Sequence, residues 1–316
     1  MAQEVDPQYA IFTSGLTKSF GSHNAVDALD LRVPRGSIFG FLGPNGSGKT
    51  TTIRMLLGLA NISSGEVSLL GSAIPDEIGI ALPKVGALVE GPAFYPYLSG
   101  RDNLIRFDAA DRHAPPQTRS ARVDAALARV GLTQAAGKKV HAYSLGMKQR
   151  LGIANALLQP RELLVLDEPT NGLDPQGTRE VRNLIRSLAV EGITIFISSH
   201  LLVEIEQICT HLAVMSQGKI VAQGSVEELS AGEELNLTLL TSDTELAVQG
   251  LKTYGINGVI DGKSVRALIP AGAHKPEDIL KSLVDTGVGV KGFTLLAPTL
   301  EERFVLLTGE GFDVER

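Results

Sequence analysis

The sequence predicts an α/β fold built on a parallel sheet, followed by a second, smaller α+β domain. Over the first 225 residues, short apolar runs alternate with longer helical patterns, which is typical of strands joined by crossover helices. A glycine-rich loop joins one of these apolar runs to a helical pattern. After residue 234 the order becomes strand, helix, strand, strand, helix, strand, which indicates a ferredoxin-like fold.

The larger domain is predicted at residues 8–230. Its clearest strands are the apolar runs 38–42, 163–166 and 193–198, and helical patterns cover 51–59 and 178–189. Between about 91 and 160 strand patterns are absent, whereas helical patterns occupy 119–130 and 145–158. We therefore expect a helical subdomain inserted into the α/β layer.

The smaller domain is predicted at residues 235–316. Strands are expected at 235–240, 256–261, 264–269 and 289–296, and helices at 242–254, 276–286 and 299–307. Asp261-Gly262 lies between two apolar runs and is the hairpin signal that this order requires. Ser225 and Glu228 have capping-box spacing, so a short helix is expected at the domain boundary.

Composition narrows the class of protein without identifying a function. The chain has 29 basic and 35 acidic side chains, hence a net charge of −6, and lacks a long basic block, so we expect no nucleic-acid partner. The single cysteine, Cys209, cannot form an intrachain disulfide and fits a reducing compartment. No apolar run reaches the about 18 to 20 residues that span a bilayer, and the N-terminus lacks the pattern of a secretory signal. We expect a soluble, cytosolic chain.

The glycine-rich loop has the P-loop pattern G-x-x-x-x-G-K-[ST] between an apolar strand and a helix. Its glycines let successive backbone N–H groups face phosphate oxygens, and the following helix presents its positive end to the same anion. Lys49 adds a charge near the β- and γ-phosphates, and the Thr50 hydroxyl suits Mg²⁺. The predicted cofactors are therefore ATP and Mg²⁺, and the predicted nucleotide-binding residues are Gly43, Pro44, Asn45, Gly46, Ser47, Gly48, Lys49, Thr50 and Thr51.

Two adjacent carboxylates, Asp167 and Glu168, follow the apolar strand 163–166. Because neighbouring side chains of a strand point to opposite sides, one carboxylate can face a metal while the other faces an attacking water. We assign Asp167 to Mg²⁺ and Glu168 to general-base or water-polarising chemistry. Taken alone, the pair is equally well explained as a solvated acidic turn; the P-loop on the same chain favours the catalytic interpretation.

A third motif narrows the prediction to one family. Residues 143–150, Tyr-Ser-Leu-Gly-Met-Lys-Gln-Arg, resemble the signature motif of ATP-binding cassette (ABC) ATPases, L-S-G-G-Q followed by K/R-Q-R. Ser144, Gly146 and the Lys-Gln-Arg ending match, whereas Tyr143, Leu145 and Met147 depart from the commonest form. Seen alone, a serine and a glycine before a helix more often form a simple cap.

Other motifs of the ABC family follow in the family's order. Residues 171–174 (Asn-Gly-Leu-Asp) resemble the D-loop, 198–200 (Ser-Ser-His) resemble the switch histidine, and Phe20 stands where the family stacks an aromatic ring on adenine. The resemblance covers about residues 10–225 and implies a RecA-like core with a β-subdomain and the inserted helical subdomain. It implies catalytic Lys49, Glu168 and His200, and nucleotide contacts by Phe20, Ser144, Gly146 and Asp174.

One position departs from the family pattern. Glu90 stands where ABC ATPases usually carry a glutamine that contacts water and Mg²⁺, so the resemblance implies a nucleotide- and metal-binding role for Glu90 beside Thr50 and Asp167. A carboxylate keeps the acceptor oxygens but adds a charge and loses the amide donor. Residues 94–98, Phe-Tyr-Pro-Tyr-Leu, are unusually aromatic for this chain. They either dock a helix of a membrane subunit or tuck into their own core.

The family resemblance also implies partners. Two cassettes enclose two ATP molecules head to tail, so we expect a second copy of this chain and a separate multi-span membrane permease subunit. The chain would then lie peripherally at the cytoplasmic face of the membrane. The glutamate at position 90 and the motif at residues 301–309 resemble those of ABC ATPases that export drugs, antibiotics or peptides. One alternative is an importer ATPase with a regulatory domain. The other is a soluble ABC ATPase acting on ribosomes or nucleic acid; the single P-loop and the separation of 95 residues from Lys49 to Ser144 disfavour this second alternative.

Overall fold

The computed structural model describes residues 8–91, 93–230, 234–270 and 272–297. The chain separates into two compact units between Val226 and Glu227. The predicted helix at 299–307 and the exporter-like ending at 301–309 lie outside the described residues.

The strands of the first unit are β1 (Tyr9–Phe20), β2 (His23–Leu29), β3 (Arg32–Pro34), β4 (Ile38–Leu42), β5 (Ser64–Leu69), β6 (Ser72–Ile74), β7 (Val85–Leu88), β8 (Leu163–Asp167), β9 (Thr194–Ser199), β10 (His211–Ser216) and β11 (Lys219–Ser225). Its helices are α1 (Lys49–Leu56), α2 (Ile78–Ala81), α3 (Gly100–Ala110), α4 (Arg119–Arg129), α5 (Leu145–Ala156), α6 (Pro175–Val190) and α7 (Leu202–Ile208). A short helix, α8 (Val226–Ser230), starts at the boundary between the units, where the capping-box spacing predicts it.

The central sheet has the strand order β11-β10-β4-β9-β8-β7 and is parallel from β10 to β7, with β11 antiparallel at its edge. Large aromatic side chains fill the core where β4 and β9 are neighbours. Phe196 stacks on Phe39 with ring centroids 5.9 Å apart and packs at a tilt against Phe41 with centroids 5.3 Å apart. This sheet confirms the predicted α/β fold. The carboxyl ends of β4, β9 and β8 lie side by side, so the loops that leave them meet at one edge.

A second, antiparallel sheet has the order β2-β1-β5-β6, with β3 also paired to β1. It corresponds to the β-subdomain that the ABC resemblance implies. Its β1–β2 hairpin reaches the central sheet, since Asp27 N donates to Gly218 O at 2.9 Å. The hairpin thereby lies beside the loop that follows β4.

Helices α3, α4 and α5 form the insertion between β7 and β8. Ser99 and Ser144 begin α3 and α5, because each hydroxyl accepts a hydrogen bond from the backbone N–H three residues on. The buried Asp108 carboxylate of α3 receives Arg119 and Arg122 of α4 at 2.9 and 2.7 Å. Within 93–160 the β-pairing is a single bridge, Ser99 to Lys139, in agreement with the predicted absence of strands.

The second unit contains β12 (Glu234–Thr241), α9 (Thr244–Lys252), β13 (Val259–Asp261), β14 (Ser264–Pro270), α10 (Pro276–Asp285) and β15 (Val290–Leu296). Its antiparallel sheet has the order β13-β14-β12-β15, which is the ferredoxin-like arrangement. The strand predicted at 256–261 is shorter than expected. Ile256 N donates to Leu251 O, so Ile256 closes the end of α9 and packs into the core instead of extending the strand.

None of the helices in the described ranges combines the length and the apolar character needed to cross a membrane.

Candidate active site

Residues 43–50 form a segment whose backbone path requires glycine at two positions. A Cβ on Gly43 would lie 2.4 Å from Met215 O of β10. Gly48 has φ +107°, and a Cβ there would lie 2.4 Å from Ala25 O of β2. The loop is therefore held tightly against β10 and the β1–β2 hairpin. Helix α1 begins within this segment, at Lys49, and has no side-chain cap, so its first N–H groups face the space in front of the loop.

Lys49 is the buried cation of this loop, with 5% of its surface exposed. Its ammonium donates to Gly43 O at 2.6 Å and to Pro44 O at 3.2 Å, and lies 3.6 Å from Glu168 Oε1. Burial lowers the pKa of Lys49, and the Glu168 and Asp167 carboxylates partly offset that shift. The two shortest contacts of the ammonium are neutral carbonyl oxygens, so its charge is available to a phosphate oxygen.

Ser47 lies in the same loop as Lys49. Its side chain is buried, yet among the described residues the hydroxyl makes no hydrogen bond. Buried hydroxyls nearly always have a partner in a complete site. The free Ser47 hydroxyl, the Lys49 ammonium and the N-terminus of α1 together fit the oxygens of a phosphate chain.

Asp167 ends β8 and is anchored on both oxygens. Thr50 Oγ1 donates to Oδ2 at 3.2 Å, and Ser198 Oγ of β9 donates to Oδ1 at 2.6 Å. The side chains of Thr50 and Asp167 are thus brought together as predicted, and hydroxyl and carboxylate oxygens are the donors that Mg²⁺ prefers.

Glu168 points to other partners than Asp167 does. Its Oε2 lies 2.8 Å from His200 Nδ1 and its Oε1 faces Lys49. The residue has φ +48°, a left-handed conformation that costs energy for a non-glycine residue. Ser198 Oγ accepts the Glu168 N–H at 2.9 Å and helps to hold that conformation. The three predicted catalytic side chains, Lys49, Glu168 and His200, therefore form one contiguous group.

Lys49, Thr50 and Glu168 open onto a cleft of about 240 Å³, whereas Ser47, Asp167 and His200 are not among its lining residues. It is lined by Ala25, Asn45, Gly46, Gly48, Lys49, Thr50, Thr51, Glu168 and Asn171. The sequence patterns indicate no individual role for Ala25, Asn171 or Ser198. Asn171 and Ser198 stand inside motifs that the ABC resemblance identified, which was an available signal, whereas Ala25 reaches the cleft only through the β1–β2 hairpin.

Phe20 stands at the end of β1, on the hairpin that carries Ala25. Its ring is 59% exposed, and the Lys18 ammonium lies 5.0 Å from the ring centroid. An exposed aromatic side chain on this hairpin is available for stacking, and the adenine contact stays a prediction.

Ser144, Gly146 and Asp174 do not line the cleft. Ser144 Oγ accepts Met147 N at 3.2 Å, and Asp174 Oδ1 accepts Gly177 N at 2.9 Å, so both side chains cap their own helices. Gly146 faces Leu173 of the D-loop segment. Within one chain the signature motif therefore packs beside the D-loop, away from Lys49, and the nucleotide contacts predicted for these residues stay predictions.

Glu90 is also outside the cleft lining. It follows β7 with φ +60° and forms an ion pair with Arg54 of α1. The Glu90 carboxylate is therefore not brought together with Thr50 and Asp167, and its metal-binding role stays a prediction. In the neighbouring aromatic segment Phe94 packs against Phe107, whereas the Tyr97 ring is 78% exposed. The segment thus has one residue tucked into the chain and one available to a partner.

Comparison with known proteins identifies relatives along the whole chain. A family model described as "ABC transporter" matches residues 26–171. The bacitracin transport ATP-binding protein BcrA of Bacillus licheniformis is 42% identical over 309 residues, covering 95% of this chain and 98% of that protein. The daunorubicin resistance ATP-binding protein DrrA3 of Streptomyces coeruleorubidus is 34% identical, covering 95% and 96%. The solved structure of cbiO1 from Clostridium perfringens, part of the ABC transporter complex cbiONQ, matches with a TM-score of 0.64 at 29% identity, covering 70% of this chain and 90% of that one.

Proposed function

This chain belongs to the ABC transporter family as an ATP-hydrolysing subunit of the exporter type, and we propose that the exported compound is an antibiotic, another drug or a peptide. Relatives that match almost the full length are named for bacitracin transport and daunorubicin resistance, which supports this class of cargo. The match extends across both units and not only across the ATP-binding residues.

The observation that carries the mechanism is the position of the Glu168 carboxylate, between Lys49 at 3.6 Å and His200 at 2.8 Å. Glu168 orients and polarises the attacking water, and His200 holds the carboxylate in place. Lys49 and the loop N–H groups bind the phosphates, and phosphoryl transfer depends mainly on such positioning and charge neutralisation. Thr50 and Asp167 would hold Mg²⁺, which supplies further positive charge beside the phosphates when it is bound.

A second copy of the chain completes the site in this proposal. Ser144 is exposed, and its hydroxyl accepts one backbone N–H while its own hydrogen remains able to donate. When it faces the P-loop of another copy, the Ser144 hydroxyl donates a hydrogen bond to the bound phosphates. Among the described residues, none that lines the cleft in that other copy supplies this donor. ATP-dependent head-to-tail dimerisation follows from this arrangement, as does a two-state switch biased by ATP and by its hydrolysis.

Transport requires a partner that crosses the bilayer, and we assign that role to a separate multi-span permease. The chain then lies peripherally at the cytoplasmic face of the membrane. The exposed Tyr97 belongs to the surface we assign to that contact, since exposed aromatic side chains are enriched at protein interfaces.

The catalytic assignment is tested with Glu168→Gln, which keeps the size of the side chain and removes its charge. We expect ATP binding to be retained and kcat to fall by about 10²-fold or more, the scale of a lost general base. Glu191→Gln, an exposed glutamate paired with Arg129, is the matched control. Turnover within twofold of wild type in Glu168→Gln would exclude the proposed role.

The transport assignment is tested by purifying the tagged chain from detergent-solubilised membranes of cells that are resistant to a peptide antibiotic. We expect a multi-span protein to co-purify, and resistance to disappear in cells that carry Glu168→Gln. Recovery of ribosomes or nucleic acid without a membrane protein would refute the exporter proposal, and uptake of the compound instead of its extrusion would indicate an importer.

A further inference from the structure

The catalytic carboxylate and the switch histidine stand on two neighbouring loops, which leave the parallel strands β8 and β9. Besides the direct contact between Glu168 and His200, a second connection joins these loops. Thr170 Oγ1 donates a hydrogen bond to Glu204 Oε2, and Ser199 Oγ lies 3.5 Å from the same carboxylate oxygen. One carboxylate thus touches the residue two places after Glu168 and the residue immediately before His200.

The β8 loop needs such a restraint because its first residue is strained. Glu168 has φ +48°, which persists only where surrounding contacts impose it. The described hydrogen bonds of this turn include Asn171 N to Glu168 O at 3.2 Å, but that bond lies within the loop itself. Thr170 is 8% exposed, so its hydroxyl is a buried donor that depends on Glu204.

Glu204 is well placed to act as a fixed anchor. It lies in the first turn of α7, where a negative side chain is favourable and where Leu201, the capping residue, supplies no side-chain cap. Leu202 and Ile205 of the same helix are buried in the core, so the helix is a rigid support. The Ser199 carbonyl in turn accepts Gly43 N of the phosphate loop at 3.3 Å, which extends the connection to a third loop.

We propose that Glu204 is a positioning residue for ATP hydrolysis, which holds the loops of Glu168 and His200 in register through Thr170 and Ser199. Glu204 does not line the cleft, and it acts through the two loops. The inference rests on the role proposed above for Glu168, and it adds the group that keeps Glu168 and His200 at hydrogen-bonding distance.

The test is a double-mutant cycle on the full-length chain with Glu204→Ala, Thr170→Val and the two combined. We expect each single variant to lower kcat about tenfold while the KM for ATP stays within about twofold, because the phosphate loop is intact. We expect the combined variant to be no slower than Glu204→Ala alone, since Glu204→Ala already removes the hydrogen bond that Thr170→Val removes. Glu204→Gln and Thr170→Ser retain an acceptor and a donor, respectively, and should recover most of the rate.

Glu206→Ala is the control on the same helix, because two residues turn the side chain by about 200° away from Glu204. Melting temperatures and fluorescent-nucleotide binding, measured on every variant, detect a purely structural effect; if Glu204→Ala fails to fold, Thr170→Val and Thr170→Ser still decide the matter. Unchanged kcat in Thr170→Val, or strictly additive losses in the cycle, would overturn the positioning role of Glu204. Neither result would affect the catalytic role proposed for Glu168. Failure of the Glu168→Gln test alone would instead remove the catalytic role of Glu168.

Discussion

Ser198 offers the sharpest test of how the acidic pair is built. Its hydroxyl is 0% exposed, donates to Asp167 Oδ1 at 2.6 Å and accepts the Glu168 N–H at 2.9 Å. Ser198→Ala removes both bonds and leaves a buried carboxylate oxygen and a backbone N–H without that partner. A hydrogen bond to a charged group contributes about 2 kcal/mol and a neutral one about 1 kcal/mol, so we expect a loss of about 3 kcal/mol in the free energy of unfolding.

Chemical denaturation and steady-state ATPase assays measure the two consequences of this substitution. Because Ser198 also holds the strained Glu168 backbone, we expect kcat to fall at least about tenfold. Ser37→Ala is the matched control, since Ser37 is buried and donates a single neutral hydrogen bond to Pro34 O at 2.7 Å, so it should cost only about 1 kcal/mol. Equal destabilisation by the two substitutions would refute the reasoning.

Three further predictions concern charged or titratable groups. Lys49→Ala should weaken ATP binding measured by fluorescence titration, because it removes the buried cation of the phosphate loop, and unchanged affinity would contradict that assignment. Burial raises the pKa of Asp108, but the hydrogen bonds from Arg122 and Arg119 outweigh it and the net pKa is lowered. Asp108→Asn should therefore lower the melting temperature at pH 7. The gap to wild type should begin to narrow as pH falls below about 4, the pKa of an aspartate in the unfolded chain, and should close only below the lowered pKa of the folded carboxyl; a pH-independent gap would exclude this origin. Burial raises the pKa of the Cys209 thiol, so a thiol reagent at pH 8 should label it only after denaturation, and rapid labelling of the native chain would be inconsistent with its position.

The sequence predicts three adjacent strands of the central sheet, β4, β9 and β8, and the groups that meet at their carboxyl ends, whereas β7, β10 and β11 have no strand assignment from the sequence. Apolar runs followed by Gly43, Asp167 and His200 predict parallel strands, and parallel strands that are neighbours bring their carboxyl ends together. The strand order itself was not readable from these patterns, because pairing is a long-range property. The family resemblance supplied the β-subdomain, for which the residues before Ile38 had suggested no strand assignment.

What the sequence could not show is how each side chain is held. Nothing in the residue types predicts that Glu90 and Glu168 both take a left-handed backbone, with φ of +60° and +48°, since that conformation is imposed by contacts distant in the chain. Likewise the sequence places Ser198 only within the histidine motif, although its hydroxyl joins β9 to the Asp167 carboxylate and to the backbone N–H of Glu168. Its role depends on the register between β8 and β9, in which Asp167 pairs with Ser198.

The ion pair of Glu90 bears on how its carboxylate, in place of the usual glutamine, affects the cycle. Arg54 stands on α1, the helix that begins at Lys49, so the pair links the phosphate-binding helix to the segment that leads into the helical subdomain. Both side chains are about half exposed, and such pairs contribute only about 0 to 1 kcal/mol. Breaking the pair therefore costs little compared with the binding energy of a nucleotide. Since a neutral amide cannot form this ion pair, the carboxylate adds a weak restraint between α1 and the segment after β7 that a glutamine at this position would not supply.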